Sequence, residues 1–221
     1  MDYYSDRVEI KYVLQADEMH HILEFIKRYG TRDKNSNSMG EYKISTCYIM
    51  SWNTRSRIGK NHGHLRIRHY LDTCKIFLEE KSKIQNLYYK TRYLINNDEE
   101  ELLRSFDTIG QIENFINIRQ FPFSPQLSMI PILNIFEISY IRQAYSVKYD
   151  DMEFRATIDR ELLSNDCLLL PNHFILEIKT NKKEFDKIIY LFLQKYKILP
   201  QKFSKYKILK RNIHNITANS F

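Results

Sequence analysis

The sequence predicts an α+β fold built on an antiparallel sheet or barrel, and three observations lead there. Strand-like segments outnumber helical ones, short turns join them, and several alternate charged with apolar residues. The alternating βαβ order of a parallel sheet is missing. The 221 residues are 43% hydrophobic and 28% charged, which suits a folded chain and is too apolar for a disordered one. Five glycines and five prolines exclude collagen-like and linker-rich readings. Sixteen tyrosines and thirteen phenylalanines favour strands.

The elements follow in order. Residues 10–14 are a short β-prone run. Residues 16–29 space Met19, Ile22, Leu23, Phe25 and Ile26 as a helix does, with Asp17 near its start. Residues 31–41 are polar and read as a loop. Strands are expected at 43–50, 64–71, 74–82 and 88–95. Two short helices follow at 98–106 and 110–119, the first opening on Asp98, Glu99, Glu100 and Glu101, which favour a helix N-terminus. Further strands are expected at 134–148, 152–160 and 173–180. Residues 184–196 carry Phe185, Ile188, Ile189, Leu191, Phe192 and Tyr196 on one side of a helix. The tail 201–213 is strongly basic. No repeat or linker divides the chain, so residues 1–221 are expected to form one domain, with a core of about 7–207.

Lys and Arg total 34 against 27 Asp and Glu, a net charge of +7. That sum permits an anionic partner without requiring one. Cys47, Cys74 and Cys167 are scattered and odd in number, which suits free thiols in a reducing cytoplasm. The opening MDYYSDRVEIKY has no apolar run, so no leader is expected. No stretch approaches the roughly 20 apolar residues of a membrane span.

Where the charges fall is more informative. A strand shows one face every second residue. Glu9 and Lys11 flank Ile10, and Arg66 and Arg68 flank Ile67. Glu79 shares a face with Lys81, and Lys90 with Arg92. Arg155, Thr157 and Asp159 alternate with Ala156 and Ile158, and Glu177 and Lys179 flank Ile178. On any one strand this is simply a solvated face. Repeated over six strands it carries more weight, and if the strands closed into a barrel with these faces inward, the interior would hold more cations than acids. Two unit charges ~4 Å apart interact by about 4 kcal/mol at an effective dielectric of 20. A handful of such contacts would hold a polyphosphate, and the acids would serve a divalent cation.

These residues form an ordered set that resembles the VTC domain. This is the polyphosphate-polymerase domain of the vacuolar transporter chaperone, within the CYTH-like triphosphate tunnel metalloenzymes. Glu9-Ile10-Lys11-Tyr12 resembles the opening E-x-K-Y strand, and Leu65-Arg66-Ile67-Arg68-His69-Tyr70 the R-x-R-x-Y strand. Phe77-Leu78-Glu79-Glu80-Lys81 and Lys90-Thr91-Arg92 resemble the next two. Arg142-Gln143-Ala144-Tyr145, Arg155-Ala156-Thr157-Ile158-Asp159 and Leu176-Glu177-Ile178-Lys179 follow, and Lys202-Phe203-Ser204-Lys205-Tyr206 resembles the terminal K-F-S-K-Y. The resemblance implies a closed tunnel of eight antiparallel strands with helices packed outside. It implies phosphate binding by Lys11, Arg66, Arg68, Lys81, Lys90, Arg142, Arg155, Lys202, Ser204 and Lys205. Glu177 would be the principal ligand of Mn²⁺ or Mg²⁺, with Glu9, Glu79 and Asp159 as further candidates. Arg66, Arg68, Arg142, Arg155 and Glu177 would carry catalysis. ATP and inorganic polyphosphate or triphosphate are the implied substrates, joined by transfer of the γ-phosphate to the growing polymer.

Two departures stand out. Arg7 occupies the place of the first Glu of the hydrolases' E-x-E-x-K, which favours the polymerase branch. The second strand reads Tyr48-Ile49-Met50-Ser51 where the family has an aromatic residue followed by Asp. A tunnel triphosphatase is the alternative reaction. A non-catalytic polyanion or RNA binder is a third reading, drawn from the basic tail with Phe203 and Tyr206, but no RNA-binding motif accompanies it and the acids would repel a phosphate backbone. His20, His21, His62 and His64 lack supporting ligands at metal-site spacing, Trp52 reads as packing, and no P-loop occurs.

Overall fold

The computed structural model describes residues 7–56, 59–84, 87–120 and 136–218. Their order is β1 (Arg7–Gln15), α1 (Ala16–Tyr29), β2 (Gly30–Arg32), β3 (Glu41–Ser56), β4 (Gly59–Tyr70), β5 (Lys75–Ile84), β6 (Leu87–Ile95), α2 (Asn97–Arg104) and α3 (Ile109–Ile118). Then come β7 (Phe136–Tyr149), β8 (Met152–Ser164), β9 (Cys167–Leu168), β10 (His173–Asn181), α4 (Phe185–Tyr196) and α5 (Lys205–Ala218). The strand order is β1-β10-β8-β7-β3-β4-β5-β6, with β2 beside β7 and β9 beside β8. The β1–β10, β10–β8, β2–β7, β4–β5, β5–β6, β7–β8 and β8–β9 ladders are antiparallel. This is an α+β, antiparallel architecture, as the sequence predicts. The hydrogen-bonded order is an open path with β1 and β6 at its ends.

Two elements differ from expectation. The segment read as a loop from residue 31 begins with β2, whose Gly30 to Arg32 pair with Val147 to Tyr145. From Lys205 onward the basic tail is a helix, α5, whose buried Tyr206 and Leu209 supply the apolar positions that the lysines mask in the sequence. The start of α1 is also set differently. Gln15 and Glu18 form a reciprocal capping box, while Asp17 lies in the first turn. The helix ends at Gly30, where a Cβ would stand 2.4 Å from the Ile26 carbonyl oxygen. Asn96 with Glu99, and Thr108 with Gln111, cap α2 and α3 in the same reciprocal way.

The chain forms two compact units. One is Asp6–Ile44 with Ile138–Phe221, and the other includes Ser45–Glu137. In the first, Ile10, Tyr12 and Leu14 of β1, Leu176 and Ile178 of β10, Phe154, Ala156 and Ile158 of β8, and Tyr145 and Val147 of β7 are buried in one cluster. Ile22, Phe25 and Ile26 of α1 and Ile188 and Phe192 of α4 complete it. Tyr12 stacks on Phe192 with ring centroids 5.4 Å apart. Burying each such large side chain contributes about 1.5–3 kcal/mol. In the second unit, Leu65 and Ile67 of β4, Ile76 and Leu78 of β5, and Cys47 and Ile49 of β3 pack with Leu103 of α2 and Ile112, Phe115 and Ile116 of α3. The consequence is the same in both. One strand parity is committed to the helices, so the intervening residues all face the other way.

Candidate functional site

In the unit that includes Ser45–Glu137, the opposite face is built around one carboxylate. Register puts Arg66 of β4 and Arg92 of β6 directly across from Glu79 of β5, and pairs Lys81 with both His64 and Lys90. Glu79 is fully buried. Its Oε2 accepts from Arg66 Nε at 3.0 Å and Nη2 at 2.8 Å. Arg68 Nη1 lies 3.3 Å from Oε2, while Lys90 Nζ and Arg92 Nε lie 3.6 and 3.3 Å from Oε1. Burial alone would raise the Glu79 carboxyl, but the charges of Arg68, Arg66, Lys90 and Arg92 outweigh it and hold the group far below the carboxylate range. Arg92 also lies over the Phe77 ring at 3.5 Å, which fixes the guanidinium on that side. The face therefore carries a marked excess of fixed positive charge, with Arg66 and Arg68 largely shielded from solvent and Lys90 and Arg92 more open.

In the other unit the opposite face is a lattice of three rows. Val13, Ile175, Asp159 and Arg142 form one, Lys11, Glu177, Thr157 and Ala144 the next, and Glu9, Lys179, Arg155 and Ser146 the third. Asp159 is fully buried. Arg142 grips it with two parallel bonds, Nε to Oδ1 at 2.5 Å and Nη2 to Oδ2 at 2.7 Å. Lys205, in the first turn of α5, donates to the same Oδ2 at 2.5 Å and lies 4.8 Å from the Tyr140 ring centre. Burial would raise Asp159, yet Arg142 and Lys205 lower it. Burial likewise opposes the charge on Arg142, but Asp159 and then Tyr140 push its pKa well above the ordinary arginine value.

Glu177 is nearly buried. Lys179 Nζ lies 2.7 Å from its Oε1 and Lys11 Nζ 3.6 Å from its Oε2, while Lys11 also reaches Glu9 at 3.2 Å. Burial acts to raise Glu177. Lys179, a hydrogen bond with Glu9, Lys11 and Arg142 hold it well below the usual range. Glu177 and Glu9 thus offer two adjoining carboxyl groups. Lys11 is raised above the ordinary lysine value, because Glu177 and Glu9 overcome the desolvation that would lower it.

Arg155 is half-exposed and bonds Asp33 Oδ2 at 2.6 Å. Ser204 sits at the entrance to α5, where its Oγ accepts from the Lys207 N–H at 3.4 Å. Gln201 N–H donates to the Lys11 carbonyl at 2.7 Å, which ties the segment carrying Lys202 to β1. Lys202 itself is exposed.

Each predicted residue thus has a place. Arg66, Arg68, Lys81, Lys90 and Glu79 share one charged face. Lys11, Glu9, Glu177, Arg142, Asp159, Arg155 and Lys205 share the other. Asp33 escaped the sequence reading because an Asp in the polar run TRDKNSN carries no strand parity. Lys179 and Arg92 were visible within their motifs, and the ladders show why they matter. Among the described residues no cluster of three or more His, Cys, Asp or Glu is present. The side chains of Arg7, Met50, Ser51, Trp52 and His62 lie outside the described residues.

Comparison with known proteins adds the decisive finding. The family model of the VTC domain matches residues 6–210. The chain belongs to the VTC domain family. No curated protein matches it in sequence. Among solved structures, this VTC domain is similar to a candidate adenylyl cyclase from Hippeastrum with a dominant triphosphatase activity (11% identity, 94% of this chain and 96% of that one, TM-score 0.53). It is also similar to candidate adenylate cyclases from Bacillus halodurans (11%, 90% and 94%, 0.52) and Vibrio parahaemolyticus (13%, 93% and 98%, 0.51). At these identities the likeness is one of fold alone. No helix among the described residues is long and apolar enough to cross a membrane.

Proposed function

We propose that the protein is a metal-dependent phosphotransferase that binds the triphosphate of ATP and extends inorganic polyphosphate. The observation that carries this reading is the pair of buried acids, Glu79 and Asp159, each held by guanidinium and ammonium groups on a strand face set aside from the core. Such faces suit a polyanion whose shape is simple and whose charge is high. Arg66 and Arg68 present planar forks to phosphate oxygens, and Lys81 and Lys90 add point charges. Arg142, Arg155, Lys11, Lys202, Ser204 and Lys205 play the same part on the other face. The proposed enclosure is the closed eight-stranded tunnel that the family resemblance implies.

The donor set fits Mg²⁺ or Mn²⁺. A nucleotide-bound Mg²⁺ keeps several waters and phosphate oxygens and takes one or two protein carboxylates, and Glu177 with Glu9 supplies that number. When bound, the ion would neutralise phosphate charge and polarise the γ-phosphoryl group. The chain's own residues do the rest. The arginines orient the triphosphate and stabilise charge on the equatorial oxygens as the group transfers. A terminal phosphate oxygen of the polymer forms the new P–O bond, the bond from the γ-phosphorus to the bridging oxygen breaks, and ADP leaves. The attacking oxygen is already anionic, so the mechanism asks no general base of the protein.

Purified protein incubated with ATP and Mn²⁺ should yield polymer on a gel. Arg66→Ala and Glu177→Ala should each lower the rate at least about a hundredfold, as loss of a charge-stabilising group does. Full activity in either variant would refute the assignment. The runner-up is hydrolysis, suggested by the triphosphatase activity of the Hippeastrum protein. Orthophosphate without polymer would establish it instead, and neither product would sink both.

A further inference from the structure

The middle row of the lattice contains an oddity. Beyond Glu177 in this row stand two small side chains, Thr157 of β8 and Ala144 of β7, directly across from each other. Long charged groups border them. Arg155 and Asp159 precede and follow Thr157 on the same strand face, and Arg142 stands two residues from Ala144. Thr157 is 2% exposed, and its Oγ1 has no hydrogen-bond partner among the described residues. Glu177, its neighbour in the ladder, turns to Lys179 and Lys11 instead. Threonine in a strand commonly faces a packed or solvated surface, where its hydroxyl is satisfied by water or backbone. Here it has neither exposure nor a partner. A buried hydroxyl left unsatisfied costs stability, and a methyl group of the same shape would not. Retaining one in the floor of a phosphate-binding face needs a reason outside the folded chain's own contacts.

We propose that Thr157 Oγ1 is a phosphate-binding group, donating its proton to a phosphoryl oxygen that settles against it beside Glu177. The inference rests on the phosphate-binding reading above and adds a residue to it. Ala144, directly across from Thr157, is the smallest side chain in the row and obstructs an approaching oxygen least. The hydroxyl is neutral, so it adds a directed bond without adding to the desolvation cost of the surrounding charges. It also distinguishes a phosphoryl oxygen from a plain counter-ion, because the bond is directional and short-ranged.

The test is a substitution whose effects on folding and on binding should run in opposite directions. Thr157→Val keeps the shape and removes the hydroxyl, while Thr157→Ser keeps the hydroxyl. Binding of tripolyphosphate is measured calorimetrically with Mg²⁺ and again with EDTA, alongside the thermal midpoint of each variant. The expected result is that Thr157→Val melts no lower than the wild type yet binds tripolyphosphate about ten- to hundredfold more weakly, the span expected for one hydrogen bond to a charged group. Thr157→Ser should recover most of that affinity, and Ala144→Val should weaken binding by obstruction. Unchanged affinity in Thr157→Val would overturn the proposal. So would a loss of affinity that only accompanies a fall in the melting point, since the hydroxyl would then be structural. A wild type that binds no tripolyphosphate would overturn the phosphate-binding reading itself, a distinct result.

Discussion

The two charged faces look alike in outline and differ in balance. Around Glu79, four cations share one acid, and the carboxylate lies wholly out of reach of water. On the other face the acids are nearly matched. Arg142 and Lys205 hold Asp159, Lys11 and Lys179 hold Glu177, and Arg155 holds Asp33. The first arrangement leaves a net positive charge, with its acid serving to orient cations that would otherwise repel one another. The second pairs acids with bases closely enough to stand alone, and it is where the proposed cation ligands Glu9 and Glu177 lie. An excess and a balance, built by the same strand alternation, suit two different tasks.

The sharpest way to break that contrast is to remove each acid. Glu79→Ala should destabilise the protein by about 3–5 kcal/mol in chemical denaturation, since it strands buried cations without a counter-charge. Added tripolyphosphate should recover part of the loss. Glu177→Ala should cost less, because Lys11 and Lys179 are more open to water than Arg66 and Arg68. Equal losses would show that the two faces do not differ in the way described.

Acid stability follows from the depressed carboxyl groups. In the folded state Glu79, Asp159 and Glu177 bind protons less readily than in the unfolded chain. Their contribution is therefore complete above the unfolded carboxylate range of roughly pH 4 and disappears as pH falls below it. There the unfolded state binds more protons, and each such group adds about 1.4 kcal/mol per pH unit to the slope. Melting followed from pH 7 down to pH 2 should show a plateau and then a steep fall, and Glu79→Gln should make the fall shallower.

Smaller effects lie at the edges of the balanced face. Ser204→Ala removes the side-chain cap of α5 and should lower stability by about 1 kcal/mol, read as a drop in the melting point. Asp33→Asn should cost less than about 1 kcal/mol, since Arg155 is exposed enough for water to replace its partner. A larger loss at Asp33 than at Ser204 would mean that this pair is more rigid than its exposure implies.

Much of this arrangement was legible in the sequence. Alternation placed Glu9, Lys11, Arg66, Arg68, Glu79, Arg155, Asp159, Glu177 and Lys179 on shared faces, because a strand leaves side chains only two directions. Helical spacing located α1 and α4 through Ile22, Phe25, Ile188 and Phe192, which the core buries. What escaped depended on partners distant in the chain. Asp33 acquires meaning only when β2 carries the following turn to Arg155. The helix α5 was hidden because its lysines dominate the composition, while its helical register rests on Tyr206 and Leu209. Thr157 could be seen in its motif, but its lack of a partner is a property of packing that no spacing reveals.

The grip of Lys205 and Arg142 on Asp159 has a bearing on turnover. In the resting protein the aspartate keeps both bases posed and desolvated beforehand. Under the proposed function, an arriving anion would compete with a carboxylate rather than meet bare cations, so the gain on arrival would be tempered. That moderation would let a heavily charged product depart, and a floor stripped of its acid would hold its cargo too long.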